Sequence, residues 1–425
     1  MAKDGLVLGS TVALTTAVAI IGFQLANPSI AAFRDNPKEI VDEVWQTINR
    51  DYVDGTFNRN DWRQVRRDFV ENRDYASKDE AYRAVREMLK LLDDPYTRFL
   101  DPEQFRSMQI ETSGELTGVG IQLGMDDETK ELVVIAPIEG SPAMKAGLRT
   151  RDVLTSIDGR STKDMDLNQA VSLIRGPVNT TVRLGIRRGV QQFEVELVRA
   201  RIELHAVKWE VRNTPAGKVG YISLRQFNAN AAQEMRKALQ TLNSQVNSLV
   251  LDLRSNPGGL LYASAEIARM FMDNATIVST VDRKGESERL IANRQSLTDK
   301  PLVVLVDGSS ASASEILSGA LQDNKRAVVV GTPTFGKGLV QSVQALSDGS
   351  GLAVTIAKYY TPSGRDINKS GIKPDIVVEL SKADQERLNK NRELIGTMAD
   401  PQFAKAVEVL VTQNRNPRLP SANLP

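Results

Sequence analysis

In the second half of the chain, short apolar runs alternate with stretches of helical periodicity. The apolar runs are Ser248–Leu253, Leu302–Asp307 and Ala327–Val330, and they predict buried strands. Helical patterns occupy Leu261–Met272 after the first run and Ile316–Leu321 between the second and third. Because a helical crossover makes consecutive strands parallel, these strands should end at one common edge of a sheet. Open α/β folds bind their ligands at that carboxyl edge.

The flanking patterns predict additional helical and strand-rich segments. Apolar positions at helical spacing predict helices through Asn36–Met108, the first of them beginning at Pro37. Short strands and two short helices fill Gly114–Arg201, Leu352–Tyr360 alternates as a strand, and Asp384–Leu410 is predicted as a helical tail. The whole pattern favours a multi-domain α/β protein.

The first 32 residues are predicted to be a targeting segment. Lys3 precedes an uncharged apolar stretch from Leu6 to Leu25, and small residues follow up to Ala32. This order favours a secretory signal peptide over an uncleaved membrane anchor, although the apolar stretch is almost long enough to span a bilayer. Either interpretation places the rest of the chain outside the cytosol.

Composition excludes several classes of function. The chain has 425 residues, a formal net charge of +1 and no cysteine, and its single histidine is His205. Cysteine nucleophiles and thiolate metal sites are therefore excluded, and one histidine cannot build an HExxH zinc site. The near-neutral charge gives no indication of nucleic acid as a partner. We interpret His205 as a structural or surface residue, and we expect no metal or cofactor.

Candidate chemistry lies at the predicted sheet edge. Ser312 follows one strand, and Lys337 lies 25 positions later in a glycine-rich loop that follows the next strand. A serine nucleophile with a lysine base performs acyl transfer, provided that the lysine is neutral. Neutralising an ordinary lysine with a pKa near ~10.4 at about pH 7.5 costs roughly 4 kcal/mol, a shift that burial can supply. Lys325, at the far end of the helix and about 20 Å from Ser312, is rejected as the base.

Neighbouring residues complete this hypothesis. Gln341 lies four residues beyond Lys337. In an extended strand this even spacing places both side chains on the same face, where the Gln341 side chain can hold the lysine amine. The N–H of one of the paired glycines Gly258 and Gly259, together with the N–H of Ala313 at the start of a helix, could form an oxyanion hole. Ser312 and Glu315 also have the spacing of a capping box.

A second candidate site lies near Gly118. Gly118, Val119, Gly120 and Ile121 form a Gly-x-Gly turn that opens a strand. Their N–H groups can hold a terminal carboxylate while the following strand pairs with a peptide. Together with the strands and helices up to Arg201, this turn resembles a PDZ domain.

Two other interpretations compete with acyl transfer by a serine and a lysine. The sequence from Gly331 to Lys337 is almost a P-loop, but Gly338 replaces the Ser or Thr that a Mg²⁺ ion needs, and a strand follows instead of a helix. Nucleotide binding is therefore disfavoured. The alternative to an enzyme is a non-catalytic PDZ peptide-binding scaffold or chaperone, in which Ser312 is only a helix cap and Lys337 only a loop charge.

The motifs SASASEI, DLRSNPGG and DPYTRFLDPEQF, with Lys337 and Gln341 at their spacings, resemble the carboxyl-terminal processing protease family. The resemblance implies a crotonase-like α/β protease core at 204–380, a PDZ domain at 111–203, a helical region at 33–110 and a helical tail at 381–425. It implies Ser312 as nucleophile, Lys337 as general base, Gln341 as its partner, Gly258 and Ala313 as the oxyanion hole, and a supporting role for Asp323.

The same resemblance implies which substrates and which compartment to expect. The substrates would be exported proteins with free, apolar C-termini, among them the photosystem II D1 precursor with its C-terminal extension. The compartment would be the periplasm or the thylakoid lumen. Homodimerisation and membrane association through the N-terminal segment are left open.

Overall fold

The computed structural model describes residues 20–24, 36–126, 128–285 and 287–415. They divide into two compact units, one formed by Gly114–Leu204 and the other by the remaining described residues. Of the predicted targeting segment only Ile20–Gln24 is described, as strand β1, and the rest lies outside the described residues. Among the helices described, we find none with the length and apolar character needed to cross a membrane.

The segment that precedes the first unit is helical, as predicted. Its elements are α1 (Pro37–Asp51), α2 (Trp62–Arg66), α3 (Lys78–Lys90), β2 (Arg98–Leu100) and α4 (Pro102–Ser113), with a π-helical turn at Arg67–Glu71. Asn36 caps α1 by accepting a hydrogen bond from the N–H of Lys38, and Pro37 is the first helical residue. The apolar faces of α1 and α3 pack with Leu352 and Val354, so this segment shares a core with the C-terminal part of the second unit.

The unit Gly114–Leu204 is built from short antiparallel strands. Its elements are β3 (Glu115–Gly118), β4 (Ile121–Met125), β5 (Leu132–Pro137), α5 (Pro142–Lys145), β6 (Val153–Ile157), β7 (Arg160–Ser161), α6 (Leu167–Ile174), β8 (Thr181–Arg188), β9 (Gln191–Val198) and β10 (Ala200–Glu203). The main sheet has the order β4-β5-β6-β8-β9, and β3 pairs with β10. Strand β4 is therefore an edge strand of its sheet within the described residues.

The rest of the chain forms two further sheets and their helices. The elements are β11 (Val207–Thr214), β12 (Gly217–Leu224), α7 (Ala231–Leu242), β13 (Ser248–Asp252), α8 (Leu261–Arg269), β14 (Thr276–Asp282), β15 (Ser287–Ile291), β16 (Leu302–Val306), α9 (Ala313–Asp323), β17 (Val328–Gly331), β18 (Leu339–Ala345), β19 (Gly351–Tyr360), β20 (Ile376–Val377), α10 (Lys382–Lys390), a 3₁₀ turn (Arg392–Leu394) and α11 (Pro401–Arg415). One sheet has the order β11-β12-β13-β16-β17-β20, and the other has the order β1-β18-β19-β14-β15 with β2 beside β19.

The first of these sheets is covered on both faces. Helices α7, α8 and α9 pack on one face, and residues of α11, including Phe403 and Val407, pack against Val250, Val303 and Val328 on the other. Strands β12, β13, β16, β17 and β20 run parallel. Strands buried on both faces have continuous apolar sequences, which explains the unbroken runs in the sequence.

A buried ionic cluster attaches α11 to the turn after β13. The guanidinium of Arg254 donates to both carboxylate oxygens of Asp252, at 2.9 and 2.6 Å, and to both of Asp400, at 3.1 and 2.7 Å. Asp400 is fully buried. The cluster therefore connects the start of α11 to the loop that contains Gly258.

We expect Asp400→Ala to lower the free energy of unfolding by roughly 3–5 kcal/mol, because it leaves the buried Arg254 with an incomplete set of acceptors. Urea denaturation measures the change. Asp74→Ala is the control, since Asp74 forms an ion pair with Lys38 at 3.0 Å while its side chain is 94% exposed, and such pairs contribute little. Equal stability of the two variants would contradict a stabilising role for the cluster.

Candidate active site

Three loops meet at the carboxyl edge of the parallel sheet, as the sequence predicts. Val303 pairs with Val250 on one side and with Val328 on the other, and all three strands run in the same direction. The loops after them are hydrogen-bonded to one another. The N–H of Ala311 donates to the carbonyl of Asn256 at 3.1 Å, and the N–H of Phe335 donates to the carbonyl of Ser310, also at 3.1 Å.

Ser312 occupies a strained position at the start of α9. Its φ is 56° and its ψ is −112°, outside the regions that residues other than glycine usually adopt. The side chain is fully buried, and its Oγ has no hydrogen-bond partner among the described residues. The N–H of Ser312 donates to the Glu315 carboxylate at 2.7 Å. The Glu315 half of the predicted capping box therefore forms, and the serine hydroxyl is left without a structural task.

Lys337 is fully buried, yet its amine takes part in no ion pair and no hydrogen bond within the described part of the chain. Nζ lies 4.5 Å from the centroid of the Tyr96 ring. Burial and, to a smaller extent, the positive charge of Arg98 lower the pKa of Lys337 to about 7, against the opposing effect of the acids Asp94 and Glu315. A large part of the lysine population is therefore neutral near pH 7, as a general base requires.

Glu315 joins the start of α9 to the lysine loop. Its two carboxylate oxygens accept from the Thr334 hydroxyl at 2.5 Å, the Gly336 N–H at 2.7 Å and the Lys337 N–H at 2.9 Å, in addition to the Ser312 N–H. Burial raises the pKa of Glu315, and these four hydrogen bonds act against that rise. Because every contact is one in which the carboxylate accepts, the pattern is that of an ionised group. The sequence singled out Glu315 only as a cap, although a glutamate inside a buried apolar helix is itself a signal.

Gln341 lies buried on β18, next to the lysine loop. Its Nε2 donates to Thr355 Oγ1 at 3.3 Å, and its Oε1 has no partner among the described residues. Ser312 Oγ, Lys337 Nζ and Gln341 Oε1 are thus three unpaired buried polar atoms, a condition that is costly and rare in a folded protein. The predicted hydrogen bond between Gln341 and the lysine amine is absent from this conformation, and so is one between Ser312 and Lys337.

Gly258 lies directly against the serine. Its φ is 104°, and a Cβ there would come within 2.7 Å of the Ala311 carbonyl oxygen and 3.0 Å of the Ala313 nitrogen, so only glycine fits. The structure therefore brings both predicted oxyanion donors together. The N–H of Gly258 donates to Asn256 Oδ1 at 2.9 Å, whereas Ala313 is the first residue of α9, where helical N–H groups have no intrahelical acceptor.

Asp323 and His205 lie apart from this cluster. Asp323 is the last residue of α9, and it accepts from the Ser363 hydroxyl at 2.6 Å and forms an ion pair with Arg365. It therefore holds the loop after β19 in place. His205 is half exposed, with its Nδ1 2.8 Å from a carboxylate oxygen of Glu234, which agrees with the structural or surface role predicted for it.

The segment Asp94–Arg98 enters the site from the N-terminal helical region. Of the aromatic residues near this segment, Phe99 and Phe105 are buried in the core. Tyr96 differs, because its ring is partly exposed and covers the lysine amine. No local pattern distinguishes it from its neighbours.

In the other unit, the predicted peptide-binding turn contains two glycines with positive φ. Gly118 and Gly120 have φ values of 158° and 77°, and a Cβ on Gly120 would come within 2.2 Å of Ser141 Cβ. Val119 is buried in the core of the unit, and Ile121 begins the edge strand β4. Throughout the residues that the structure describes, we find no cluster of three metal-ligating side chains.

Sequence and structure comparisons place these features among known proteins. Residues 218–378 match the model of peptidase family S41, and residues 133–188 match that of the PDZ domain. The chain is 45% identical to a carboxyl-terminal-processing protease of Synechocystis sp., over 90% of this chain and 88% of that protein. It is 42% identical to the chloroplastic carboxyl-terminal-processing peptidase 2 of Arabidopsis thaliana, over 78% of this chain and 67% of the relative. A solved photosystem II D1 C-terminal processing protease is 36% identical, with a TM-score of 0.53 over 82% of this chain and 94% of the other.

Proposed function

The chain belongs to the carboxyl-terminal processing proteases of peptidase family S41, and from that membership we propose that Ser312 and Lys337 form its catalytic dyad, with Gln341 as third member. The observation that carries the proposal is the buried amine of Lys337, which has no counter-ion in contact among the described residues and a pKa of about 7. It lies at the same sheet edge as the strained serine. A scaffold protein would gain nothing from burying an unpaired lysine, so the structure favours an enzyme.

The proposed mechanism begins with neutral Lys337. As Ser312 Oγ attacks the substrate carbonyl, its proton passes to the Nζ lone pair, and the carbonyl electrons move to the oxygen. The N–H groups of Ala313 and Gly258 stabilise this oxyanion, for which Gly258 must release Asn256 Oδ1. The Lys337 ammonium then gives its proton to the leaving amine, and the neutral lysine next activates the water that hydrolyses the acyl-enzyme.

Because neither Ser312 Oγ nor Lys337 Nζ has a hydrogen-bond partner among the described residues in this conformation, the two side chains must approach each other before the reaction. Gln341 Oε1 is an unused acceptor on the adjacent strand and is suited to orient the amine once it turns toward Ser312. Asp323 supports this arrangement only indirectly, through the loop that it holds.

The substrates are proteins, and we propose that the PDZ unit selects them by a free, apolar C-terminus. The Gly118–Ile121 turn offers backbone N–H groups to the terminal carboxylate, and the edge strand β4 can pair with the residues before it. The cyanobacterial and chloroplastic relatives favour an exported or lumenal location. We propose the D1 precursor extension as a substrate and the periplasm or thylakoid lumen as the compartment.

Amidating the substrate C-terminus should raise KM by roughly 10- to 100-fold, since hydrogen bonds to a charged carboxylate are worth about 1.5–3 kcal/mol. The measurement compares kinetics on two otherwise identical protein substrates. Ser312→Ala serves as the blank and should cleave neither. If the free and amidated substrates give the same KM while the blank is inactive, carboxylate capture is wrong and the peptidase assignment stands.

A further inference from the structure

We propose that Tyr96 is a further catalytic residue. The face of its ring stabilises, by a cation–π interaction, the positive charge that Lys337 acquires when it accepts the proton of Ser312. The inference rests on the proposed function of the Ser312–Lys337 dyad. It assigns a task to the segment Asp94–Arg98, which comes from outside the parallel sheet.

The contact between ring and amine is close. Lys337 Nζ is 4.5 Å from the ring centroid of Tyr96, well inside the ~6 Å within which an aromatic face attracts a cation. The amine has no hydrogen-bond partner among the described residues, so the ring is the group placed to respond to its charge. Such an attraction is strongest where water is excluded, and Lys337 is fully buried.

Tyr96 is held firmly in this position. The carboxylate of Asp94 accepts from the Tyr96 N–H at 2.9 Å, from the Thr97 hydroxyl at 2.7 Å and from the Thr355 hydroxyl at 2.6 Å. The Thr97 hydroxyl in turn accepts from the Thr355 N–H at 3.0 Å. The turn is thus fixed to β19, and Thr355 also receives the Gln341 amide. The contact among Asp94, Thr97 and Thr355 therefore positions both the Tyr96 ring and Gln341, the third member of the proposed triad.

An aromatic ring suits a lysine base better than a carboxylate would. A carboxylate in contact with Nζ would raise the pKa and keep the lysine protonated, and therefore unable to accept a proton. The charged groups that face the amine are Arg98, Asp94 and Glu315, and burial together with Arg98 outweighs the two acids. The ring stabilises the ammonium more modestly, so the lysine is neutral before the reaction and is stabilised while it is charged.

The cation–π interaction acts in the step that transfers the serine proton to the lysine. The Ser312 O–H bond breaks, a new N–H bond forms on Lys337, and the pair of charges is an ammonium and a substrate oxyanion. The ammonium is discharged when its proton moves to the leaving amine. Because the ring attracts the charged form far more than the neutral one, it lowers the barrier by an interaction that is weak in the ground state.

The test is the pH dependence of cleavage by Tyr96→Phe, which keeps the ring, and Tyr96→Leu, which removes it. We expect Tyr96→Phe to retain activity within about three-fold and Tyr96→Leu to lower kcat roughly ten- to thirty-fold. Loss of the ring destabilises the ammonium, so the pKa of Lys337 falls and the acid limb of kcat/KM moves to lower pH, by about one unit. If the ring only excluded water, its removal in Tyr96→Leu would let water reach the amine. The pKa of Lys337 would then rise toward its ordinary value, and the acid limb would move to higher pH.

Tyr75→Leu is a matched control, because the Tyr75 ring lies over the guanidinium of Arg73, with 5.4 Å between the ring centroid and Cζ. It should leave the acid limb unchanged. If Tyr96→Leu does not fold, 3,5-difluorophenylalanine at position 96 keeps the shape and weakens the ring face, and its kcat should fall below that of Tyr96→Phe. Equal kcat for these two rings, an unchanged profile in Tyr96→Leu, or a limb moved to higher pH would overturn the proposal. The activity of Ser312→Ala tests the proposed dyad separately from the role of Tyr96, because it depends on the serine and not on the ring.

Discussion

Lys337→Arg should abolish cleavage, with kcat/KM falling by roughly 10⁴-fold or more, close to the effect of Ser312→Ala. Arginine keeps a positive charge at every accessible pH and cannot accept the serine proton. Steady-state kinetics on a protein substrate with an apolar C-terminus measures the loss. Lys325→Arg is the matched control, because Lys325 follows α9 at the end opposite Ser312 and should tolerate the change.

The wild-type pH profile gives the same test without a mutation. The active lysine is neutral, so kcat/KM should rise with pH through a limb near 7, where the pKa of Lys337 lies, and level off above it. Lys337→Met keeps an apolar chain of similar length in the buried site and should fold while remaining inactive. Substantial activity in either Lys337 variant would rule out a lysine base at this position.

The second large effect is expected for Glu315→Gln, which should lower kcat by about 10²- to 10³-fold and destabilise the fold by roughly 2–4 kcal/mol. Two donors meet each carboxylate oxygen: Thr334 and Gly336 at Oε1, and Ser312 and Lys337 at Oε2. An amide offers one acceptor and one donor, so two of these groups would face an N–H. The start of α9 and the lysine loop would then separate.

Glu80→Gln is the matched control for that prediction. Glu80 stands three residues after Ser77, the N-cap of α3, and it accepts from the Ala76 N–H at 2.9 Å on the exposed surface. The two glutamates thus have the same motif and differ in burial and in the number of donors. Thermal unfolding and kcat measured for both variants decide the matter. If Glu315→Gln behaves like Glu80→Gln, the carboxylate does not hold the site together.

The sequence was sufficient to predict the parallel strands, their common edge and the proximity of the loops that contain Ser312 and Lys337. It succeeded because continuous apolar runs joined by helices allow few topologies. The role of Glu315 was missed because three of its four donors lie 19 to 22 residues downstream, where only the folded chain brings them near. The predicted capping box forms through Glu315, which accepts from the Ser312 N–H, but the spacing could not reveal the positive φ of Ser312.

Tyr96 could not be found by periodicity at all. Its segment lies more than 200 residues before the strands that it meets, and its contacts depend on the pairing of β2 with β19. The engagement of the Gly258 N–H by Asn256 is likewise a matter of side-chain geometry that spacing does not encode. The position of Tyr96 and the hydrogen bond of Gly258 are both set by tertiary packing. They affect the geometry of the site and not which residues compose it.

A protease that acts on chain ends risks consuming its own copies. Here the residues of α11 are sealed against the strands, with Phe403 and Leu410 fully buried and Asp400 engaged by Arg254. Before another copy of the enzyme could cleave α11, the helix would have to detach from the parallel sheet and leave the apolar side chains of the strands exposed to water. We therefore expect a change that weakens the packing of α11 to make this helix more accessible to cleavage by another copy of the enzyme.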